Sequence, residues 1–234
     1  MADGRQDARR KAGSRFLVRP VVSENGKQLN GPSSAFVFIV DDDEAVRESL
    51  GDLVRSVGYE AALYGSAPEF LKIQLPDAPS CLVLDVRLPG TSGLELQEYL
   101  TSINLSLPVI VMTGFGDIPM TVRAMKLGAI EFLTKPIRDH DLLDAIAAAI
   151  RVDKDRRKDV AMVAQLREKY ELLTVREKQV MALVTSGLMN KQVANELSIS
   201  EVTVKMHRGS VMRKLGAKSV ATLTRIADAL DIQN

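Results

Sequence analysis

The sequence contains one cysteine, no tryptophan and no apolar run of the length that crosses a membrane. The single cysteine, Cys81, excludes a scaffold of internal disulfides, and its place in an apolar run predicts a small core residue rather than a reactive thiol. Nothing near the N-terminus has the apolar centre of a signal peptide. We therefore expect a cytoplasmic protein with no membrane association, and its 234 residues are enough for two modest domains.

The net charge of +1 hides an uneven distribution of charge along the chain. Residues 35–137 hold 14 Asp and Glu against 7 Lys and Arg, whereas residues 159–234 hold 8 against 11. An acidic region followed by a basic one suggests a cation-binding domain joined to a domain that touches a polyanion. Residues 1–34 are polar, rich in Arg and Lys and without periodicity, and they predict a disordered basic arm.

Apolar runs and helical patterns alternate five times between residues 35 and 150, which we predict to be one domain. Such alternation predicts the α/β class: a doubly wound, five-stranded parallel sheet with helices on both faces and right-handed crossovers. The predicted strands cover residues 36–40, 60–64, 81–85, 107–112 and 130–133. Because ligands bind outside the carboxyl ends of parallel strands, functional residues are expected at that edge of the sheet.

Polar residues stand at the ends of four of these strands: Asp41-Asp42, Asp85, Thr113 and Lys135. Asp85 alone could cap a loop, but three carboxylates converging at one edge would repel one another unless a cation lies among them. Oxygen ligands without His or Cys favour Mg²⁺ over zinc. The sequence therefore predicts a Mg²⁺ site at this edge of the sheet.

Asp85 is the predicted phosphoryl acceptor, because a carboxylate can take a phosphoryl group as an aspartyl phosphate. The reaction requires stabilisation of the negative transferring oxygens, which the metal ion and the ammonium group of Lys135 would supply. The hydroxyl of Thr113 can bond a phosphoryl oxygen. Thr113 could instead begin a turn and Lys135 could be a surface charge, but their places at separate strand ends favour the joint site.

Four segments resemble a response-regulator receiver domain, and the resemblance extends over about residues 35–149. They are Ile39–Asp42, Leu84–Gly90, Met112–Gly114 and Phe132–Pro136. The resemblance implies a flavodoxin-like fold and phosphorylation of Asp85 by a partner histidine kinase. It also implies that Asp42, Asp85 and the backbone carbonyl of Arg87 bind Mg²⁺ directly, and that Asp41 acts through water.

The same resemblance implies that Thr113 and Phe132 form a switch pair. The hydroxyl would move toward the phosphoryl group, and the aromatic ring would turn inward behind it. From the residues alone, Phe132 is equally well explained as a core side chain. The stretch Thr113–Met120 narrows the resemblance to the FixJ type, in which phosphorylation creates a dimer face, and we place Val122 and Lys126 on that face.

Residues 151–170 are predicted to form a helical linker. Residues 151–158 within it are a run of charges that we expect to lie in solvent. The apolar stripe that follows is too short to choose between a two-stranded coil in a dimer and a monomeric spacer.

The C-terminal region, residues 171–234, shows the pattern of an all-α helix-turn-helix domain. Thr174 and Glu177 form a capping-box pattern at the start of a helix, and Asn190 is expected to cap a second, short helix. A three-residue turn then leads to a basic helix over residues 201–215, and such a pair of helices is typical of DNA-binding proteins.

Three segments of this region resemble the LuxR-type DNA-binding domain: Leu173–Glu177, Gly187–Ala194 and Thr203–His207. The resemblance implies a fourth helix, over about residues 219–229, that makes dimer contacts. The residues that we predict to contact DNA are Lys191, Thr203, Lys205, Met206, Arg208 and Gly209. A basic residue is common at the position of Gly209, and Arg208 is expected to serve in its place.

The two resemblances together imply a transcription regulator of a bacterial two-component system, and not an enzyme. Phosphorylation by a sensor histidine kinase would lead to homodimerisation, binding of promoter double-stranded DNA and activation of transcription, with RNA polymerase as a further partner. An aspartyl-phosphate phosphatase would need a second Asp two residues after Asp85, where Arg87 stands. A regulator that binds DNA without phosphorylation is the other alternative, and the intact acidic residues argue against it.

Overall fold

The computed structural model describes residues 35–232, and the predicted basic arm, residues 1–34, lies outside the described residues. The chain divides into two compact units between Lys154 and Asp155. None of the helices among the described residues is long and apolar enough to span a membrane.

The first unit confirms the predicted parallel sheet, with five strands in the order β2-β1-β3-β4-β5. Its elements are β1 (Phe36–Val40), α1 (Glu44–Ser56), β2 (Glu60–Tyr64), α2 (Ala67–Phe70), β3 (Ser80–Asp85), α3 (Gly93–Ser102), β4 (Val109–Thr113), α4 (Ile118–Lys126), β5 (Glu131–Thr134) and α5 (Asp139–Glu171). Every residue of β1, β3 and β4 is buried, which explains their continuous apolar sequences. Alternate side chains of these strands enter two separate cores, one on each face of the sheet.

The start of α3 lies unusually close to the end of β3. A Cβ atom at Gly93 would overlap the backbone carbonyl of Asp85, so this position requires glycine. Ser92 and Glu95 form a capping box that fixes the first turn of the helix. The polypeptide therefore turns sharply after the strand and leaves Asp85 at the edge of the sheet.

Helix α5 continues without a break through the residues that were predicted to be a linker. The expectation that residues 151–158 all lie in solvent is wrong for Asp153, which is fully buried. Its carboxylate accepts a hydrogen bond from the backbone N–H of Ser80, at the start of β3, with an N···O distance of 2.9 Å. Asp153 is three residues after buried Ile150, so it extends the inward face of the helix by one turn.

The second unit confirms the predicted all-α domain. Its helices are the end of α5, α6 (Val175–Thr185), α7 (Asn190–Glu196), α8 (Glu201–Leu215) and α9 (Val220–Ala229), and they surround one apolar core. The capping box of Thr174 and Glu177 is present. The expected cap at Asn190 is wrong, because Met189 occupies the N-cap position and donates its backbone N–H to the side chain of Gln192 at 2.8 Å.

Candidate functional site

The ends of β1 and β3 bring together three carboxylates. One oxygen each from Asp41, Asp42 and Asp85 lies within 4.8 Å of the others. Asp41 and Asp85 are buried, whereas Asp42 is exposed. A set of carboxylate oxygens at this spacing fits a hard divalent cation such as Mg²⁺.

Lys135, just after β5, lies between two of these carboxylates. Its Nζ atom is 2.6 Å from Oδ2 of Asp41 and 3.1 Å from Oδ1 of Asp85. Burial would lower the pKa of Lys135, but its hydrogen bonds and attraction to both carboxylates outweigh burial and raise that pKa. The lysine therefore carries a full positive charge at the centre of the cluster.

Asp85 is less well compensated than its ion pair suggests. Burial raises the pKa of its carboxyl group, and this effect exceeds the opposite effect of Lys135. The backbone N–H of Arg87 donates a hydrogen bond to Oδ2 of Asp85 at 3.0 Å, and repulsion from Asp41 adds to the rise. A buried carboxylate whose charge is incompletely compensated is stabilised most by binding a cation or by losing its charge in a covalent bond.

Thr113 and Phe132, the predicted switch pair, lie beside the same loop between β4 and α4. The hydroxyl oxygen of buried Thr113 accepts a hydrogen bond from the backbone N–H of Phe115 at 3.2 Å. A Cβ atom at Gly116 would lie 2.9 Å from Cε1 of the Phe132 ring. The glycine thus leaves the space that the half-buried ring occupies.

Sequence reasoning did not identify a contact between Arg87 and Phe115. The guanidinium of Arg87 lies over the Phe115 ring, 4.5 Å from its centroid, although 72% of Phe115 is exposed. An open depression of about 670 Å³ lies on the Asp42 side, lined mainly by the loop over residues 86–92. In the sequence, the signal for the contact between Arg87 and Phe115 was the aromatic residue itself, which stands two positions after Thr113 at the end of β4.

The backbone at Lys135 has two features: a cis bond to Pro136 and a hydrogen bond to the end of β4. The bond between Lys135 and Pro136 is cis. The backbone N–H of Lys135 donates to the carbonyl of Thr113 at 2.7 Å, which ties the ends of β5 and β4 together.

In the second unit, α8 separates a buried face from an exposed one. Val204, Val211 and Leu215 are buried, whereas Lys205, Met206 and Gly209 are exposed. Thr203 is partly buried at the start of the helix, and Lys191 is exposed on α7. Six predicted DNA-contact residues therefore lie on α7 and α8, the two helices of the helix-turn-helix: Lys191, Thr203, Lys205, Met206, Arg208 and Gly209.

Arg208 has a partner that sequence reasoning missed. Its Nη1 atom donates to the side-chain oxygen of Asn190, at the start of α7, at 3.0 Å. Both residues are partly buried. The 18-residue separation crosses the turn of the motif, so helical periodicity could not have indicated the contact.

Glu177 forms a second buried charge network, which lies within the second unit. Its carboxylate accepts hydrogen bonds from Lys214 at 2.7 Å and Ser210 at 2.6 Å on α8, and from the backbone N–H of Thr174 at 2.7 Å. These donors, with Lys214 first, lower the pKa of Glu177 to about 2 against the opposing effect of burial. The network joins the start of α6 to α8.

Helix α4 exposes an apolar stripe that includes Val122. Ile118, Val122 and Met125 are 80%, 45% and 46% exposed, and their spacing places them on neighbouring turns of one side. Lys126, the other predicted dimer-face residue, is also exposed. The structure thus leaves both predicted residues available at the surface of the first unit.

Comparison with known proteins identifies both units. Residues 37–147 match the family model of the response regulator receiver domain, and residues 171–227 match that of bacterial regulatory proteins of the luxR family. The chain is 53% identical over 207 residues to nodulation protein W of Bradyrhizobium diazoefficiens, covering 88% of this chain and 91% of that protein. It is 41% identical over 196 residues to the transcriptional regulatory protein FixJ of Azorhizobium caulinodans, covering 84% and 93%.

A solved structure supports the same relationship over both units. The response regulator StyR matches with a TM-score of 0.71 and 49% sequence identity, over 84% of this chain and 99% of that chain.

Proposed function

Since this chain belongs to the response regulators of the FixJ type, which join a receiver domain to a LuxR-type DNA-binding domain, we propose that phosphorylation of Asp85 controls its binding to promoter DNA. The observation that carries the proposal is the cluster at the strand ends, where Lys135 contacts two of three converging carboxylates. The phosphate donor is a sensor histidine kinase, and the protein acts in the cytoplasm as a transcriptional activator.

In this proposal Asp42, Asp85 and the backbone carbonyl of Arg87 would hold an Mg²⁺ ion, and Asp41 would act through water. The carboxylate spacing and the lack of His and Cys in the cluster fit this ion. Bound there, Mg²⁺ would neutralise charge on the phosphoryl oxygens.

A carboxylate oxygen of Asp85 attacks the phosphorus of the phosphohistidine, and an O–P bond forms as the N–P bond to the kinase breaks. Lys135 stabilises the negative oxygens as they move, because its ammonium group already lies 3.1 Å from Asp85. Asp85 loses an unfavourable buried charge when it becomes an acyl phosphate. The remaining charge lies on the phosphoryl oxygens, where Lys135 stabilises it and a bound Mg²⁺ would neutralise part of it.

The new phosphoryl group competes with the loop for the hydroxyl of Thr113. That oxygen accepts from the N–H of Phe115, so its movement toward the phosphoryl group breaks a contact that fixes the loop before α4. Phe132 then turns inward and leaves the space beside Gly116. The change reaches α4, where Val122 and Lys126 join the face that pairs two copies of the chain.

Pairing of two receiver domains presents two DNA-binding domains together. Each places the exposed face of α8 in the major groove, where Lys205 and Met206 reach bases and Lys191 and Arg208 reach the backbone. The two half-sites are expected about 10 base pairs apart, or a multiple of that distance. RNA polymerase is the further partner when the dimer activates transcription.

The test compares the unsubstituted protein with Asp85→Asn, with and without Mg²⁺ and a small acyl phosphate donor. We expect the donor to increase dimer formation and promoter binding only in the unsubstituted protein. Asp52→Asn is the matched control, because Asp52 is a surface residue on α1 with an 81% exposed side chain. Equal DNA binding by the unsubstituted protein and Asp85→Asn, with and without donor, would favour a phosphorylation-independent regulator instead.

A further inference from the structure

The contact between Asn190 and Arg208 joins the two helices of the helix-turn-helix. Asn190 is the first residue of α7, and Arg208 lies in the middle of α8. Their side chains meet at 3.0 Å, with the guanidinium as donor and the amide oxygen as acceptor. A guanidinium has five N–H donors, so this bond leaves four for other partners.

The position of Arg208 on α8 differs from that of Lys205 and Gly209. Arg208 lies four residues after buried Val204 and three before buried Val211, so it lies beside the buried face of the helix rather than on its exposed face. Partial burial agrees with this position. The guanidinium consequently reaches toward α7 instead of lying over α8.

In helix-turn-helix proteins the recognition helix enters the major groove, whereas the first helix crosses the phosphate backbone. A guanidinium fixed between the two helices therefore faces the rim of the groove rather than its floor. The residue beside it, Gly209, is exposed, and a Cβ atom there would meet nothing within 4 Å. Gly209 therefore has no side chain that would separate the backbone of α8 from an approaching DNA strand.

We propose that Asn190 is a positioning residue for DNA binding, which holds the guanidinium of Arg208 ready to contact a DNA phosphate. The inference rests on the proposed function, since it requires that α8 binds DNA. An arginine side chain has several rotatable bonds, and fixing it during binding costs entropy. Asn190 removes part of that cost before DNA arrives, and it does not need to touch the DNA itself.

This arrangement predicts different effects for the two residues. Arg208→Ala removes a phosphate contact, so affinity should fall on the order of tenfold and the slope of log affinity against log salt should become shallower by about 0.9. Asn190→Ala leaves the charge in place, so affinity should fall only about threefold with an unchanged salt slope. Both substitutions should weaken a selected duplex and a mixed-sequence duplex by similar factors, because a phosphate contact carries no sequence information.

The decisive experiment is a double-mutant cycle on the full-length protein treated with Mg²⁺ and acyl phosphate. The probes are a duplex that the unsubstituted protein selects from a random pool and a mixed-sequence duplex of equal length. Asn190→Ala should have no further effect in the Arg208→Ala background, because Asn190 acts through Arg208. Asn195→Ala is the matched control, since Asn195 is exposed on the same helix. Thermal unfolding confirms that each variant is folded.

The possible results distinguish a failure of the inference about Asn190 from a failure of the proposed function. An equal loss from Asn190→Ala in both backgrounds would show an independent role for Asn190, and an unchanged affinity would show none; either result overturns the inference and leaves the proposed function intact. A loss confined to the selected duplex would assign Arg208 to base readout and overturn the phosphate contact. Failure of the unsubstituted protein to select any duplex would overturn the proposed function and this inference together.

Discussion

Each unit of the molecule buries a carboxylate beside a lysine, yet the two pairs differ in electrostatic balance. In the first unit Lys135 lies 3.1 Å from Asp85, and burial still raises the pKa of that carboxyl group. In the second unit Lys214 lies 2.7 Å from Glu177, whose pKa is lowered to about 2. The distances are similar, so the lysine alone does not decide the direction of the shift.

Burial and hydrogen-bond donors together explain the difference, because burial has the largest effect on the pKa of Asp85, whereas the donors outweigh burial at Glu177. Glu177 accepts from Lys214, Ser210 and a backbone N–H, and both of its oxygens are bonded. Asp85 has one backbone donor, shares its lysine with Asp41 and is repelled by that residue. A fully bonded carboxylate stabilises the packing of its helices, whereas an incompletely compensated one is suited to binding a cation or reacting.

The largest expected effect is the loss of the Glu177 network. Glu177→Ala should lower the free energy of unfolding of the second unit by about 3 kcal/mol, because it leaves Lys214 without its buried partner and removes the acceptor for the backbone N–H of Thr174 in the capping box. Urea unfolding followed by methyl NMR measures the two units separately, since Met181 is buried in the second unit and Met112 in the first.

Glu171→Ala is the matched control for that substitution. Glu171 also pairs with a lysine, Lys178, at 2.7 Å, but its side chain is 66% exposed. Its removal should change the free energy of unfolding by less than about 0.5 kcal/mol. Equal effects of the two substitutions would contradict the assignment of Glu177 as a structural carboxylate.

The sequence predicted the first unit better than it predicted the contacts between distant elements. Asp41, Asp85, Thr113 and Lys135 could be assigned because each ends its own apolar run, and parallel strands bring such ends to one edge. The strand pattern therefore indicated the parallel sheet and these four residues, whereas the predicted roles of Arg87 and Phe132 came from the resemblance to receiver domains.

Contacts across long separations were not predictable in the same way. The capping box indicated Glu177, but nothing local indicated that Lys214 on another helix would complete its network. Asp153 sits in a charge run that looks solvated, and only the packing of α5 shows that it is buried. Asn190 looked like a helix cap. Its contact with Arg208 could not be predicted, because the two residues are 18 positions apart in the sequence.

The acid sensitivity of the second unit provides the next test. The pKa of Glu177 in the folded state is about 2, below its ordinary value of 4.5. Its stabilisation is therefore nearly complete above about pH 4.5 and is lost as the pH falls through 4.5 toward 2, by about 3 kcal/mol in total. Glu177→Gln should remove this part of the pH dependence, measured from the Met181 methyl signal. An identical decline in both proteins between pH 4.5 and 2 would assign the acid sensitivity to other groups.

The smallest expected effect has the opposite sign and occurs in the first unit. Because the pKa of Asp85 is raised, the fold favours its protonated form, and the ionised carboxylate lowers stability at neutral pH. Asp85→Asn should therefore raise the free energy of unfolding by about 1 kcal/mol, as relief of strain at a functional site commonly does. The Met112 methyl signal reports this change in the free energy of unfolding, with a chelator present so that no cation compensates the charges.

Asp42→Asn, at an exposed carboxylate, is the control and should change the free energy of unfolding by less than about 0.5 kcal/mol. A loss of stability in Asp85→Asn would mean that Lys135 compensates Asp85 as fully as Lys214 compensates Glu177, and the contrast between the two pairs would no longer hold.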